Sequence, residues 1–319
     1  MTEPVRRLIV DTDLGVDDAV ALLLALAEPT VEILAITTVT GNVNVQHVNR
    51  NVRQVLEYLQ RPIPVFPGSA VPLIGAPLDL GGLMGVDGLG GASVDLPAPL
   101  VPLQPRPAAV ALVEQIHRAA ALGDFSLVML GPLTNLALAL ALDPGIAKLV
   151  PQIVIMGGAV DGRGNATAAA EFNFYADPEA ARVVLAAGFP NLVLLPWETS
   201  LHYPLTWEEY DRLAALPGRK ARLFAKITAL MCSFLKETFH LPGTPLPDPL
   251  AMACALDAQI IRQAPPAFCT VETGGKIGRG LLAVDWRGLS ASAPNTHVVT
   301  EIDFDRFLNR LQASLEERR

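Results

Sequence analysis

Short apolar runs alternating with helical stretches constrain this chain more than any other feature. Arg7–Asp11 precedes a helical Asp17–Ala27, and Val31–Thr40 precedes Val45–Leu59. Ser126–Leu130 leads into Leu133–Leu142, Gln152–Met156 comes before Pro178–Ala187, and Leu192–Leu195 before Trp207–Leu216. Strands buried on both faces read as continuous apolar runs, and regular alternation with helices implies right-handed crossovers between parallel strands. The expected fold is α/β: a single domain over residues 1–319, with an open, mainly parallel, doubly wound sheet of the Rossmann-like kind. A hydrophobic content of 51% supplies an ample core for it. No internal repeat at a fixed period is evident.

Two stretches break the rhythm. Pro62–Pro107 is rich in proline and glycine, including Gly81-Gly82 and the run from Gly85 to Gly91. A loop that long inside a compact domain is usually a lid or a binding loop. Leu241–Pro249 is a proline-rich break between a helical Arg219–Phe239 and a helical Pro249–Leu256. Further on, Phe268–Thr273, Leu281–Trp286 and His297–Ile302 read as strands before a final amphipathic helix. They could extend the sheet or form a separate hairpin.

Mean hydropathy is +0.37 and only 18% of residues are charged, so a membrane span needs testing. The longest unbroken apolar run, Ala19–Ala27, is less than half of what a spanning helix requires. The first residues lack the long apolar core and cleavage site of a signal peptide, so a cytoplasmic protein with no membrane partner is expected. A net charge of −8 and the absence of any basic block argue against a nucleic-acid partner. Cys232, Cys254 and Cys269 are an odd, widely spaced set that fits a reducing compartment and small buried side chains.

The strongest chemical signal is Asp11-Thr12-Asp13-Leu14-Gly15-Val16-Asp17-Asp18, which ends the first strand and opens the first helix. Asp11 and Asp13 share one side of an extended backbone. Asp17 and Asp18 fall in the first helical turn, where the dipole favours anions. One or two acids at such a place are ordinary capping, but here there are four in eight residues. Two carboxylates about 4 Å apart repel by roughly 4 kcal/mol at an effective dielectric of about 20. Such a cluster persists by binding a cation or by holding protons. With no histidine or cysteine beside it, the donors are oxygens, which suits Ca²⁺ or Mg²⁺ rather than zinc, copper or iron. Ca²⁺ has the looser shell and better accepts substrate oxygens as well.

In open α/β sheets, ligands bind beyond the carboxyl ends of the strands. Those positions carry Asp11 and Asp13, then Thr40-Gly41-Asn42, Gly131-Pro132-Leu133-Thr134-Asn135 and Met156-Gly157-Gly158. Singly, Asn42 or Thr134 reads as a helix cap. Together they line one crevice with groups suited to a polyol.

In this ordered series the chain resembles the nucleoside hydrolases of the inosine–uridine-preferring type. The resemblance rests on the Asp11–Asp18 octet, Thr40-Gly41-Asn42, Gly88-Leu89-Gly90, Gly131–Asn135 and Met156-Gly157-Gly158. It continues through Asn165, Glu171-Phe172-Asn173, Asp177-Pro178-Glu179-Ala180 and Asp248-Pro249-Leu250-Ala251. It implies Ca²⁺-dependent hydrolysis of ribonucleosides to ribose and free base, in purine or pyrimidine salvage, by a homodimer or homotetramer. It also implies roles. Asp13, Asp18 and Asp248 would hold Ca²⁺ by side chain and Thr134 by its backbone carbonyl, with Asp13 the general base on the attacking water. Asp17 and Asn42 would bind ribose hydroxyls, and Asn165, Glu171 and Asn173 would complete the sugar pocket. Met156 would pack on the ribose, and Asp11 would support the ligands from behind.

Read without the resemblance, Glu171 is a solvated acid and Asp248 an N-cap for the Pro249–Leu256 helix. The Asp11-Thr12-Asp13 pair alone also fits Mg²⁺-dependent phosphohydrolases of the haloacid-dehalogenase type, but no convincing lysine follows, since Lys148 ends a helix. A non-catalytic sugar- or nucleoside-binding protein is the third reading. The chain departs from its relatives at the leaving group. Pro247 stands where many carry a histidine before the late aspartate, and Met84 where another frequent histidine precedes glycine. Neither supplies the tryptophan with which purine-specific relatives stack on the base. Among His47, His117, His202, His240 and His297, the best candidate acid is His240, at the end of the Arg219–Phe239 helix.

Overall fold

Leu8, Ile9 and Val10 are consecutive, apolar and fully buried, so the strand that carries them needs cover on both faces. In the computed structural model, which describes residues 5–78 and 84–317, that strand is β1 (Arg6–Thr12), in the interior of the main sheet. Gly81-Gly82 and the first four residues lie outside the described residues. The other strands of this sheet's parallel part are β2 (Val31–Thr38), β3 (Val65–Phe66), β4 (Phe125–Met129), β5 (Gln152–Met156) and β6 (Leu192–Leu195). Two-residue β7 (Leu205–Thr206) pairs antiparallel with β8 (Gly243–Thr244) away from it. The chain then forms β9 (Ile261–Gln263), β10 (Pro266–Val271), β11 (Leu282–Asp285), β12 (Thr296–Val298) and β13 (Glu301–Ile302).

The nine-stranded order is β11-β10-β12-β6-β5-β4-β1-β2-β3. Every pair from β12 to β3 is parallel, and β10 and β11 add an antiparallel edge. The C-terminal runs therefore extend the sheet. Strand order reverses at β1, with β2 on one side and β4 on the other, and this is where a doubly wound sheet opens its crevice.

The helices are α1 (Val16–Leu26), α2 (Val45–Leu59), α3 (Ala108–Leu122), α4 (Thr134–Leu142), α5 (Ile146–Leu149) and α6 (Phe172–Ala176). They continue with α7 (Pro178–Leu185), α8 (Trp197–His202), α9 (Trp207–Ala214), α10 (Arg219–Glu237), α11 (Pro247–Leu256) and α12 (Phe304–Leu315). One face of the sheet packs Leu8 and Val10 against Leu22, Val52, Phe224, Met252 and Phe307 from α1, α2, α10, α11 and α12. The other packs Ile9 against Leu112, Leu136 and Ala181 from α3, α4 and α7. The period-two geometry of β1 thus sorts its side chains into two cores. No helix among the described residues is long and apolar enough to cross a membrane.

Three boundaries differ from the sequence reading. α11 begins at Pro247, not Pro249, so Asp248 sits in its first turn and is not its N-cap. Proline suits that position because the first helical N–H has no intrahelical partner to lose. α8 intervenes between β6 and α9. α10 ends at Glu237, and His240 lies beyond it in the left-handed region at φ 52°.

Candidate active site

The acidic octet folds as a strand end, a tight turn and a helix start. Thr12 closes β1, and its hydroxyl donates to Asp18 Oδ1 while the Gly15 N–H donates to Asp18 Oδ2 at 2.8 Å. Asp18 thereby bridges strand and helix. Asp11 points the other way: Oδ2 accepts from the Thr37 hydroxyl and, at 2.8 Å, from Asn135 Nδ2. Asn135 also donates to the Thr38 carbonyl at 2.7 Å, tying the ends of β1 and β2 to the start of α4.

Neighbouring strand ends complete the first carboxylate. The Asn42 N–H donates to Asp13 Oδ2 at 2.7 Å and its Nδ2 to Asp18 Oδ2 at 3.2 Å. A Cβ at Gly41 would lie 2.0 Å from Asp13 Oδ2, so only glycine lets this backbone approach the carboxylate.

Beyond β5, Glu171 caps α6 and is buried, not a solvated acid. Its Oε1 accepts from Asn173 N at 2.8 Å and its Oε2 from Gly158 N at 2.8 Å and Phe174 N at 3.2 Å. Asn173 in turn donates to the Leu130 carbonyl at 2.8 Å and lies 3.3 Å from Met156 Sδ. Asn165 Oδ1 accepts from the Phe172 N–H at 2.8 Å, which folds the 157–171 segment over the strand ends.

The electrostatics are those of charges out of water. Burial pushes Asp11, Asp17 and Glu171 up to about 7. Burial and then the neighbouring aspartates push Asp13 and Asp248 far above the ordinary carboxylate range. Burial also raises Asp18, with the Thr12 and Gly15 donors opposing it. One carboxylate oxygen from each of Asp17, Asp18 and Asp248 lies within 4.8 Å of the others. Asp17 Oδ1 is buried without a partner. Three converging oxygen donors and an orphaned buried oxygen fit a hard divalent cation, which would replace the protons these groups otherwise hold.

A pocket of about 410 Å³ opens over this cluster. Its floor carries Asp13, Asp17, Asn42, Asn165, Glu171, Asn173 and Asp248, with Met156 among them, all from the ends of strands or the segments that follow. The sequence reading named each of these residues. Asp18 lies beneath, bonded to Asn42. The side chain of Thr134 turns aside and donates to Asp177 Oδ2 at 2.6 Å. Its expected contribution is its carbonyl, not its hydroxyl. Among the described residues, no lysine or arginine lines the pocket.

Of the other wall, the sequence reading named only Met84 and Pro247, as positions that replace histidines. It comprises Met84, Trp197, Met231, Leu235, Phe239, Leu241, Pro245 and Pro247. Trp197 follows β6 just as the floor residues follow their strands, and that position could have flagged it. Glu198, its neighbour, is buried and accepts N–H bonds from Val160, Asp161 and Arg163 at 2.9, 2.9 and 3.3 Å. It anchors the loop that leads to Asn165. The geometry does not bring His240 into the pocket: Phe239 and Leu241 line it, while His240 between them is exposed. None of the five histidines lines it.

Comparison with known proteins agrees with this geometry. The family model described as inosine-uridine preferring nucleoside hydrolase matches residues 8–309. The chain is 34% identical to the pyrimidine-specific ribonucleoside hydrolase RihA of Salmonella agona, covering 97% of this chain and 98% of that one. A solved inosine-guanosine nucleoside hydrolase superposes with a TM-score of 0.89 at 32% identity, over 98% of each chain. The purine-preferring ribonucleoside hydrolase of Gardnerella vaginalis superposes at 0.88, with 28% identity over 97% of this chain and 98% of that one. A chain with this sheet, this acidic crevice and these relatives belongs to the inosine–uridine-preferring nucleoside hydrolase family.

Proposed function

We propose that the chain is a Ca²⁺-dependent ribonucleoside hydrolase, cleaving the N-glycosidic bond to give ribose and free nucleobase. The observation that carries this reading is the all-oxygen aspartate cluster on a pocket floor that also carries the amides of Asn42, Asn165 and Asn173. Asp13, Asp18 and Asp248 would hold the cation together with the Thr134 carbonyl, with Asp17, whose oxygen converges with those of Asp18 and Asp248, beside it. When bound, Ca²⁺ supplies Lewis acidity to the attacking water and orientation to the ribose 2′- and 3′-hydroxyls.

The protein's own groups do the rest. Asp13 takes the proton of the attacking water, and the Asn42 N–H on its Oδ2 fixes its direction. Asp17 and Asn42 accept and donate to ribose hydroxyls, and Asn165, Glu171 and Asn173 close around the sugar. Met156 packs on the ribose, and Asp11 steadies the cluster through Asn135. Cleavage passes through an oxocarbenium-like ribosyl cation, which carboxylates close to the ring stabilise. A floor with four carboxylates and, among the described residues, no basic side chain repels a phosphate dianion, which argues against a phosphohydrolase.

We further propose that the protein works in the cytoplasm, in purine or pyrimidine salvage, as a homodimer or homotetramer, which light scattering would read directly. The test of the activity is a panel of inosine, uridine, p-nitrophenyl riboside and p-nitrophenyl phosphate. Turnover of the ribosides alone supports the reading. Turnover of the phosphate alone makes the chain a phosphohydrolase, and binding without turnover makes it a binding protein.

A further inference from the structure

From the wall opposite the carboxylates we infer a substrate class: N-ribosides whose aglycone is a cationic heteroaromatic ring, quaternised at nitrogen, that departs neutral. The inference rests on the ribonucleoside-hydrolase reading above and concerns the half of the pocket that receives the base.

That half is apolar and aromatic. α10 contributes Met231 and Leu235, the segment after it contributes Phe239 and Leu241, Pro247 opens α11, and Trp197 opens α8 just after β6. Among the described residues, the titratable side chains of the whole pocket are Asp13, Asp17, Glu171 and Asp248. All four belong to the floor. Both oxygens of Glu171 are already engaged by backbone N–H groups. Asp17 and Asp248 converge with Asp18, and Asp13 is held by Asn42. The base therefore meets carbon, sulfur and the Trp197 indole, whose N–H donates to no described residue. No acid stands ready to protonate it.

This decides which leaving groups depart easily. When the bond from C1′ to the ring nitrogen breaks, both electrons go to nitrogen. A neutral base leaves as an anion and must gain a proton, against a wall without an acid and beside a floor of carboxylates. A cationic base takes the same electron pair and leaves neutral. Water then adds its oxygen to C1′ and one proton is released to solution for each bond cleaved. The same walls suit the cation in the ground state. Aromatic faces attract a flat cation, and the acidic floor favours positive charge over it.

The test compares 7-methylinosine with inosine below the pH at which the methylated ring loses its N1 proton, where they differ by one methyl group and one charge, with p-nitrophenyl riboside as the reference. Expected is a kcat/KM for 7-methylinosine on the order of 10²-fold above that for inosine, the scale of one missing acid. A pH-stat held on the acidic side of neutrality, where the methylated ring keeps its N1 proton and its full charge, should record one proton for each 7-methylinosine cleaved. Equal or faster turnover of inosine, with p-nitrophenyl riboside still cleaved, overturns the inference and leaves the hydrolase reading standing. Failure to cleave any of the three overturns both. As a second arm, Pro247→His places a donor on the apolar wall and should raise inosine turnover about tenfold or more without raising that of 7-methylinosine. A parallel rise of both substrates also counts against the inference.

Discussion

Asp13 has one oxygen on the Asn42 N–H and its backbone surroundings shaped by Gly41, so its direction is set before any substrate arrives. Asp13→Asn keeps that shape but removes the base, and kcat for inosine should fall roughly 10²–10⁴-fold. Steady-state kinetics checks this, and a loss confined to KM would deny Asp13 its role. Removing the 2′-hydroxyl from the substrate should be as damaging as removing its partner, because a buried polar site left unpaired rejects the analogue. Equal turnover of inosine and 2′-deoxyinosine would contradict the sugar contacts assigned to Asp17 and Asn42. His240→Ala is expected to leave inosine turnover within about twofold, given its exposure; a loss of roughly 10²-fold would restore it as the acid. The acidic octet was legible because its members are contiguous and their mutual repulsion calls for a cation or for protons. Glu171 was legible as a site residue only through its family motif. Its burial depends on N–H donors from Gly158, Asn173 and Phe174 that no local pattern announces.

Elements carry the site by their ends. The strands and most helices were readable from apolar runs and turn residues, because a sheet covered on both faces leaves that imprint. Their junctions were less so. α8 is six residues long, too short for a periodic pattern, yet it places Trp197 in the pocket and Glu198 beneath the 160–163 loop. The apolar wall from α10 was hidden for another reason: its pocket-facing side chains look like any core stripe until the partner surface is known. Glu198→Ala leaves three backbone N–H groups without their acceptor. The donors belong to half-buried Val160 and exposed Asp161 and Arg163, so each lost bond costs about 0.5–1.5 kcal/mol and the loop should loosen. KM for inosine should rise about tenfold with a smaller change in kcat, and Glu198→Gln, which retains one acceptor oxygen, should fall between. An unchanged KM in both variants would show that this anchor does not serve the pocket.

At the scale of the molecule, the crevice at the β1 reversal concentrates buried acids, and their protonation is coupled to stability. Glu171 is pushed from 4.5 to about 7 by burial, so the folded state favours its neutral form. Its contribution is complete below the unfolded value and is lost as pH rises through about 7. The span corresponds to on the order of 3 kcal/mol. Urea denaturation in chelator should therefore show stability falling from pH 5 to pH 7.5, with a shallower fall in Glu171→Gln. A rise over that range would contradict it. The parallel strands β1, β2, β4, β5 and β6 were legible, while β3, inside the Pro62–Pro107 stretch read as a loop, and the placement of β10, β11 and β12 were not, because edge pairing is decided by distant segments. The proposed Ca²⁺ would tie these scales together, since it would replace protons at the carboxylates, stabilise the fold that holds it and enable the chemistry. The direct measurement is ribose release from inosine by protein stripped with chelator and then titrated with Ca²⁺. The expected result is negligible release in chelator and full recovery at one Ca²⁺ per chain. Undiminished release in chelator, or stripped protein that Ca²⁺ does not revive while its fold is intact, would contradict it.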